Sequence, residues 1–110
     1  MTITIYGIST CATCKKAVQA LSAADKSVTF RDVRAEPLSE TELDDLIAQF
    51  GDNLVDRNST VWRGLNDWMK HSEIEQQITA HPKLMQRPVI RDGDTYYLGW
   101  TDAIQSALLE

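Results

Sequence analysis

The sequence predicts an α/β domain whose elements run β-α-β, then a helical block, then β-β-α. Three observations carry that prediction. Short stretches with strand character lie near both ends, at residues 2–6 and 28–33 and again at Pro88-Val89-Ile90-Arg91 and Thr95-Tyr96-Tyr97-Leu98. The middle third instead repeats its apolar residues at helical spacing. At 110 residues the chain is long enough to bury one core without disulfide staples, so residues 1–110 are expected to form a single domain with a helical insertion at about 37–83.

Each element follows from local signals. Thr2-Ile3-Thr4-Ile5-Tyr6 alternates as a half-buried strand does, and Gly7-Ile8-Ser9-Thr10 reads as the turn after it. Ala17, Val18, Leu21 and Ala24 mark one face of a helix. Val28-Thr29-Phe30-Arg31-Asp32-Val33 alternates again, so the first thirty-odd residues form a right-handed βαβ unit with parallel strands. Ser39-Glu40-Thr41-Glu42 has the form of a capping box, with Leu43, Leu46, Ile47 and Phe50 behind it and Gly51 as the stop. A second helix start lies near Asn58-Ser59-Thr60, with Trp62, Leu65 and Met69 on one side. A third, Ser72-Glu73-Ile74-Glu75, also has capping-box form and leads toward Ile78. Asp92-Gly93-Asp94 between two β-rich runs is a hairpin signal. Thr101 is placed to cap a closing helix that carries Ala103, Ile104, Ala107 and Leu108. This order is that of a thioredoxin-like fold with helices inserted between its halves.

Composition narrows the function. Hydrophobic residues make up 43% of the chain and charged residues 25%, ordinary for a globular protein. The net charge of −5 argues against direct nucleic-acid binding, which needs a concentrated Lys/Arg surface. No apolar run approaches the roughly 20 residues of a membrane span. The start of the chain has no basic region followed by an apolar stretch, so the expected location is the cytoplasm.

In a reducing compartment an isolated C-x-x-C is catalytic or metal-binding more often than structural. Cys11 and Cys14 are the only cysteines, and they fall where the first strand gives way to the first helix. A thiolate is the attacking species, and a helix N-terminus favours it. Cys11 is therefore the expected nucleophile, with Ser9 or Thr10 capping the helix and Lys15 and Lys16 adding positive charge. Cys14, three residues on, is the expected resolving thiol. Zinc would need two further ligands, and beyond its carboxylates the chain offers only His71 and His81, ten residues apart without knuckle spacing, so no metal is expected.

Other residues keep two readings. Arg87, just before Pro88 at the start of the third strand, either directs a positive charge at an anion or thiolate or is a solvated strand-start arginine. Arg57, beside the Asn58-Ser59-Thr60 helix start, either helps hold an anion or pairs at the surface with Asp56 or Asp67. Trp62 and Trp68 are expected in the core, and Trp100 packs ahead of the last helix. His71 and His81 are expected at helix ends or on the surface.

Several segments together resemble the ArsC/Spx/YffB family: Tyr6-Gly7-Ile8 leading to Cys11-x-x-Cys14-Lys15-Lys16-Ala17, Glu36-Pro37-Leu38-Ser39, Arg57-Asn58-Ser59-Thr60, Gln86-Arg87-Pro88-Val89 and Leu98-Gly99-Trp100. The resemblance covers essentially the whole chain and implies a thioredoxin-like domain with a helical insertion. It implies that Cys11 is the nucleophile of an arsenate-reductase-like, thiol-dependent oxidoreductase. It further implies that Arg57 and Arg87 hold an oxyanion with help from Thr10 and Lys15, and that Pro88 shapes the substrate groove. A third family arginine is absent where Leu98-Gly99-Trp100 stands, and Cys14 departs from the arsenate reductase pattern, which relies on an external thiol. No bound cofactor is implied. Glutathione, thioredoxin or glutaredoxin would supply electrons to a monomer acting on a small thiol or an oxyanion. The C-x-x-C and Glu-Pro-Leu-Ser segments are similar to Spx, which implies the alternative of a redox-sensing regulator that binds RNA polymerase. The Arg57, Trp62, Arg63 pattern and the Leu-Gly-aromatic turn resemble YffB-like proteins, which imply glutathione.

Overall fold

In a computed structural model, which describes residues 2–109, the sheet is organised around β1 (Ile3–Gly7). The strand order is β2-β1-β3-β4. β1 runs parallel to β2 (Val28–Asp32) and antiparallel to β3 (Val89–Asp92), with Ile5 opposite both Phe30 and Ile90. β4 (Thr95–Leu98) pairs antiparallel with β3 across the expected tight turn, where Gly93 takes φ +62.

The periodicities explain which faces are buried. Ile3 and Ile5 lie two residues apart on one face of β1, and Ala17 and Leu21 lie four apart on α1 (Ala12–Ala23). Together with Ile90 and with Leu108 of α6 (Asp102–Leu109) they make one buried cluster, flanked by Val18, Val28, Tyr97, Trp100 and Ile104. Trp100 thus packs as expected. The Thr101 hydroxyl accepts from the Ile104 N–H at 3.3 Å, which starts α6 as its sequence predicts. β2 departs from its expected half-buried alternation. As an edge strand it pairs only with β1, and Phe30 remains 37% exposed.

The chain divides into two compact units, one running to Val33 and resuming at Arg87, the other Arg34–Gln86. The second unit is helical. α2 (Glu40–Phe50) opens with a complete capping box: Ser39 Oγ accepts from the Glu42 N–H at 3.1 Å, and Glu42 Oε1 accepts from the Ser39 N–H at 2.8 Å. Leu43 and Leu46 are its buried positions, and Gly51, at φ +55, ends it.

The expected second helix is instead two single turns, α3 (Thr60–Arg63) and α4 (Asp67–Lys70). Ser59 caps the first, which closes at Gly64. Asn66 then starts the second by accepting from the Met69 N–H at 2.8 Å. This break moves Trp68 out of register with any core face, leaving it 71% exposed rather than buried, while Trp62 is half-buried.

The capping box expected at Ser72 does not form. Glu73 is the N-cap of α5 (Ile74–Ala80) without a side-chain cap bond, because the Ser72 hydroxyl donates to the Met69 carbonyl at 2.6 Å. Gln77, buried on α5, donates through Nε2 to the carbonyls of Met69, Lys70 and Ser72 and so ties the end of α4 to α5. His71 and His81 stand at the C-caps of α4 and α5, at helix ends as expected.

The β-α-β and β-β-α segments, joined in one mixed sheet with the helical segment between them in sequence, make this a thioredoxin-like fold. Among the described residues no helix is long and apolar enough to cross a membrane.

Candidate functional site

The site is built on the loop between β1 and α1. Two hydrogen bonds hold the loop against the end of β2: the Val33 N–H donates to the Gly7 carbonyl at 2.9 Å, and the Ser9 N–H donates to Asp32 Oδ2 at 3.0 Å. The Cys11 N–H donates back to the Ile8 carbonyl at 2.9 Å, which turns the chain into the helix.

Cys11 itself is the N-cap of α1, in extended backbone conformation, and its Sγ accepts from the Cys14 N–H at 3.4 Å. This corrects the expectation that Ser9 or Thr10 caps the helix. Both are exposed turn residues, and the sulfur occupies the capping position instead. The consequence is chemical, because the group facing the unpaired helix N–H donors is the nucleophile.

The two thiols sit in opposite environments. Partial burial disfavours a charge on Cys11. It is outweighed by hydrogen bonds from the Cys14 side chain and N–H, the positive charge of Arg87 and the Thr13 N–H, so the thiol lies below its ordinary value. Cys14 is fully buried, and burial together with donation of its S–H to Cys11 pushes it up to about 12. Both thiols are free, and their acidities are shifted in opposite directions, Cys11 toward the thiolate and Cys14 toward the thiol.

Gly7 is a site residue that sequence reasoning missed. A Cβ there would stand 2.5 Å from Cys14 Sγ and 3.3 Å from Phe30 Cε1, so the bare backbone is what admits the buried sulfur. The available signal was a glycine closing a strand just ahead of C-x-x-C.

Near Cys11 the structure places Arg87, whose charge acts on the sulfur; Pro88, which follows it, is buried and joined to it by a cis peptide bond immediately before β3. Lys15 lies one turn into α1 and is exposed, and the cation that favours the Cys11 thiolate is Arg87. Arg57 belongs to the helical unit. There its Nη2 lies 3.4 Å from Asp52 Oδ1 and its guanidinium stacks 5.4 Å above the Trp62 ring. The surface ion pair read as one alternative for Arg57 is thus made with Asp52 and not with Asp56 or Asp67, while Asp56 Oδ1 accepts from the Asn58 N–H at 3.0 Å. Arg63 donates to the Asn58 carbonyl at 2.8 Å. Among the described residues no group of three or more His, Cys, Asp or Glu is placed to hold a metal ion.

Comparison with known proteins matches this architecture to a family. An uncharacterized protein of Haemophilus influenzae is 32% identical over 105 residues, covering 91% of this chain and 92% of its own. The global transcriptional regulator Spx 2 of Lactococcus lactis is 28% identical over 106 residues, covering 91% and 80%. Among solved structures, a protein named YFFB superposes with a TM-score of 0.84 at 25% identity over 98% of this chain and 99% of the other. An arsenate reductase (ArsC) related protein from Brucella melitensis superposes with a TM-score of 0.75 at 28% identity over 97% and 93%. The ArsC family model matches residues 6–106, a span that takes in both cysteines, Arg57, Arg87 and Pro88, and the chain belongs to that family.

Proposed function

We propose that this protein is a thiol-dependent oxidoreductase in which Cys11 attacks and Cys14, or glutathione in its place, resolves. The observation that carries this reading is the asymmetry of the pair: a half-buried N-cap sulfur held toward thiolate, beside a fully buried thiol held as S–H. An attacking group needs thiolate character and access: the Cys11 environment favours the first, and its partial exposure gives the second.

In the reaction the Cys11 thiolate attacks one sulfur of an oxidised substrate. Its S–S bond breaks, a mixed disulfide forms on Cys11, and the other sulfur leaves as a thiolate that takes up a proton. Cys14 then attacks the Cys11 sulfur, its proton passes to the departing thiol, and a Cys11–Cys14 disulfide remains. Two electrons from glutathione, thioredoxin or glutaredoxin restore the dithiol in the cytoplasm. Arg87, Lys15 and Thr10 are the proposed groups for the carboxylates of a glutathione adduct or for an oxyanion of the arsenate class, with Pro88 shaping the groove. Turnover of a glutathione mixed disulfide, and separately of arsenate, by purified protein tests the reading. Activity is expected to vanish in Cys11→Ser, and full turnover in that variant would overturn it.

A second reading is favoured by two observations, the Spx relative and the cap geometry. A Cys11–Cys14 disulfide would withdraw the sulfur from the Cys14 N–H and remake the start of α1, so a redox-dependent binding surface of the Spx type follows from the same pair. Recovery of RNA polymerase from lysate by the oxidised form but not the reduced form, or the reverse, would select this reading over the enzyme.

A further inference from the structure

Beside the cysteine loop a groove of about 320 Å³ lies between α1 and the edge strand, lined by Ser9, Lys15, Val18, Gln19 and Phe30. Lys15, Val18 and Gln19 succeed one another at helical spacing on α1, so the groove leads away from the Cys11 end of that helix. Its far wall is Phe30, a large aromatic left 37% exposed on a strand with one neighbour. Phe30 also borders the gap over Gly7 that holds Cys14 Sγ. The wall is therefore continuous with the packing of the resolving thiol.

Among the residues that line this groove Lys15 carries the one formal charge, and the Asp32 carboxylate beside Ser9 is taken up by the Ser9 N–H at 3.0 Å. The compact unit that holds the groove, residues 1–33 and 87–110, has six acidic and six basic residues. Within that unit Lys15 and Lys16 occupy the first turns of α1, which has no acidic residue in its first turn. An apolar cleft with an ammonium group on its helical side takes an apolar side chain that has a carboxylate close by.

The geometry points to a substrate class: peptide or protein disulfides in which a bulky apolar residue adjoins the reacting cysteine and an acidic residue lies one further along, the apolar side chain seating against Phe30 and Val18 and the carboxylate meeting Lys15. This rests on the oxidoreductase reading proposed above. Glutathione alone satisfies the charge but has no apolar side chain with which to fill the cleft. In the reaction Cys11 attacks the peptide sulfur, the S–S bond to glutathione breaks and glutathione leaves. Cys14 then displaces the peptide as its thiol, so the two electrons come from the Cys11–Cys14 pair.

Two mixed disulfides with glutathione are the probes, one built on the peptide Ac-DLCLD-amide and one on Ac-GGCGG-amide. The readout is the ratio of their kcat/KM values, in which any change in Cys11 reactivity cancels. The wild type is expected to prefer the first by about tenfold, roughly the discrimination that one seated aliphatic side chain provides. Phe30→Ala and Lys15→Glu should each bring the ratio toward one, and Lys15→Glu should transfer the preference to Ac-KLCLK-amide. A wild-type ratio near one overturns the groove and leaves the oxidoreductase reading standing. Absence of turnover on both probes overturns the disulfide chemistry of that reading, and absence on arsenate as well overturns the oxidoreductase reading whole. In that case fluorescence anisotropy with labelled Ac-DLSLD-amide decides the groove: binding weakened by both substitutions retains it as a peptide site, and binding insensitive to them removes it.

Discussion

Cys11 and Cys14 are three residues apart, yet tertiary placement gives them different chemistry. Cys11 gains hydrogen-bond donors and the Arg87 charge, while Cys14 gains burial. Replacing Cys14 with Ala removes the S–H donor, and Arg87→Gln removes the cation. Each should move the midpoint of iodoacetamide alkylation at Cys11 to higher pH than in the wild type, and unchanged profiles would contradict the account of the thiolate. The linkage signs follow. Cys11, lowered in the folded state, contributes stability that is present above the ordinary thiol range and is lost as pH falls through its own value. Cys14, raised to about 12, contributes stability that is present below the ordinary range and is lost as pH rises toward 12. Urea unfolding across that alkaline window should therefore show a flatter decline in Cys14→Ala than in the wild type.

Within the elements, small contacts decide where structure begins and what it carries. The Gly7 end of β1 has room for Cys14 only because a Cβ is missing. Gly7→Ala should cost about 1–3 kcal/mol in urea unfolding and slow closure of the Cys11–Cys14 disulfide, as expected of overpacking beside a fixed sulfur. Ser39→Ala, which removes one half of the capping box on α2, should cost about 1 kcal/mol without altering alkylation of Cys11. The capping box at Ser39 and the cap at Thr101 were legible because a side chain and the backbone two or three residues on are enough to specify them. The break between α3 and α4 was not. Its signals, Gly64 and Asn66, compete with apolar spacing that also suits one continuous helix, and the outcome depends on which hydrogen bonds the surroundings satisfy. Ser72 illustrates the same competition, its hydroxyl being taken by the Met69 carbonyl rather than by the start of α5.

At the scale of the whole molecule, the central strands carry the deepest burial: Ile5 of β1 and Ile90 of β3 are both fully buried and face each other in register. Their amides should be among the slowest to exchange with deuterium, and those of the single-turn α4 among the fastest, because one exposed turn opens without disturbing a core. The sequence by itself determined the order of strands and helices, the βαβ crossover, the hairpin at Gly93 and the position of the cysteine pair at a strand-to-helix junction. All of these are set by periodicity and by turn chemistry over a few residues. Only the tertiary structure decided that Cys11 rather than Thr10 caps α1, that Arg87 is the cation acting on it, that Gly7 makes room for Cys14, and that Arg57 pairs with Asp52. The physical reason is common to all four. Burial, close approach and charge at a sulfur or a guanidinium depend on residues that are distant in the chain or that compete locally for one partner, and no spacing rule ranks those partners before the chain has folded.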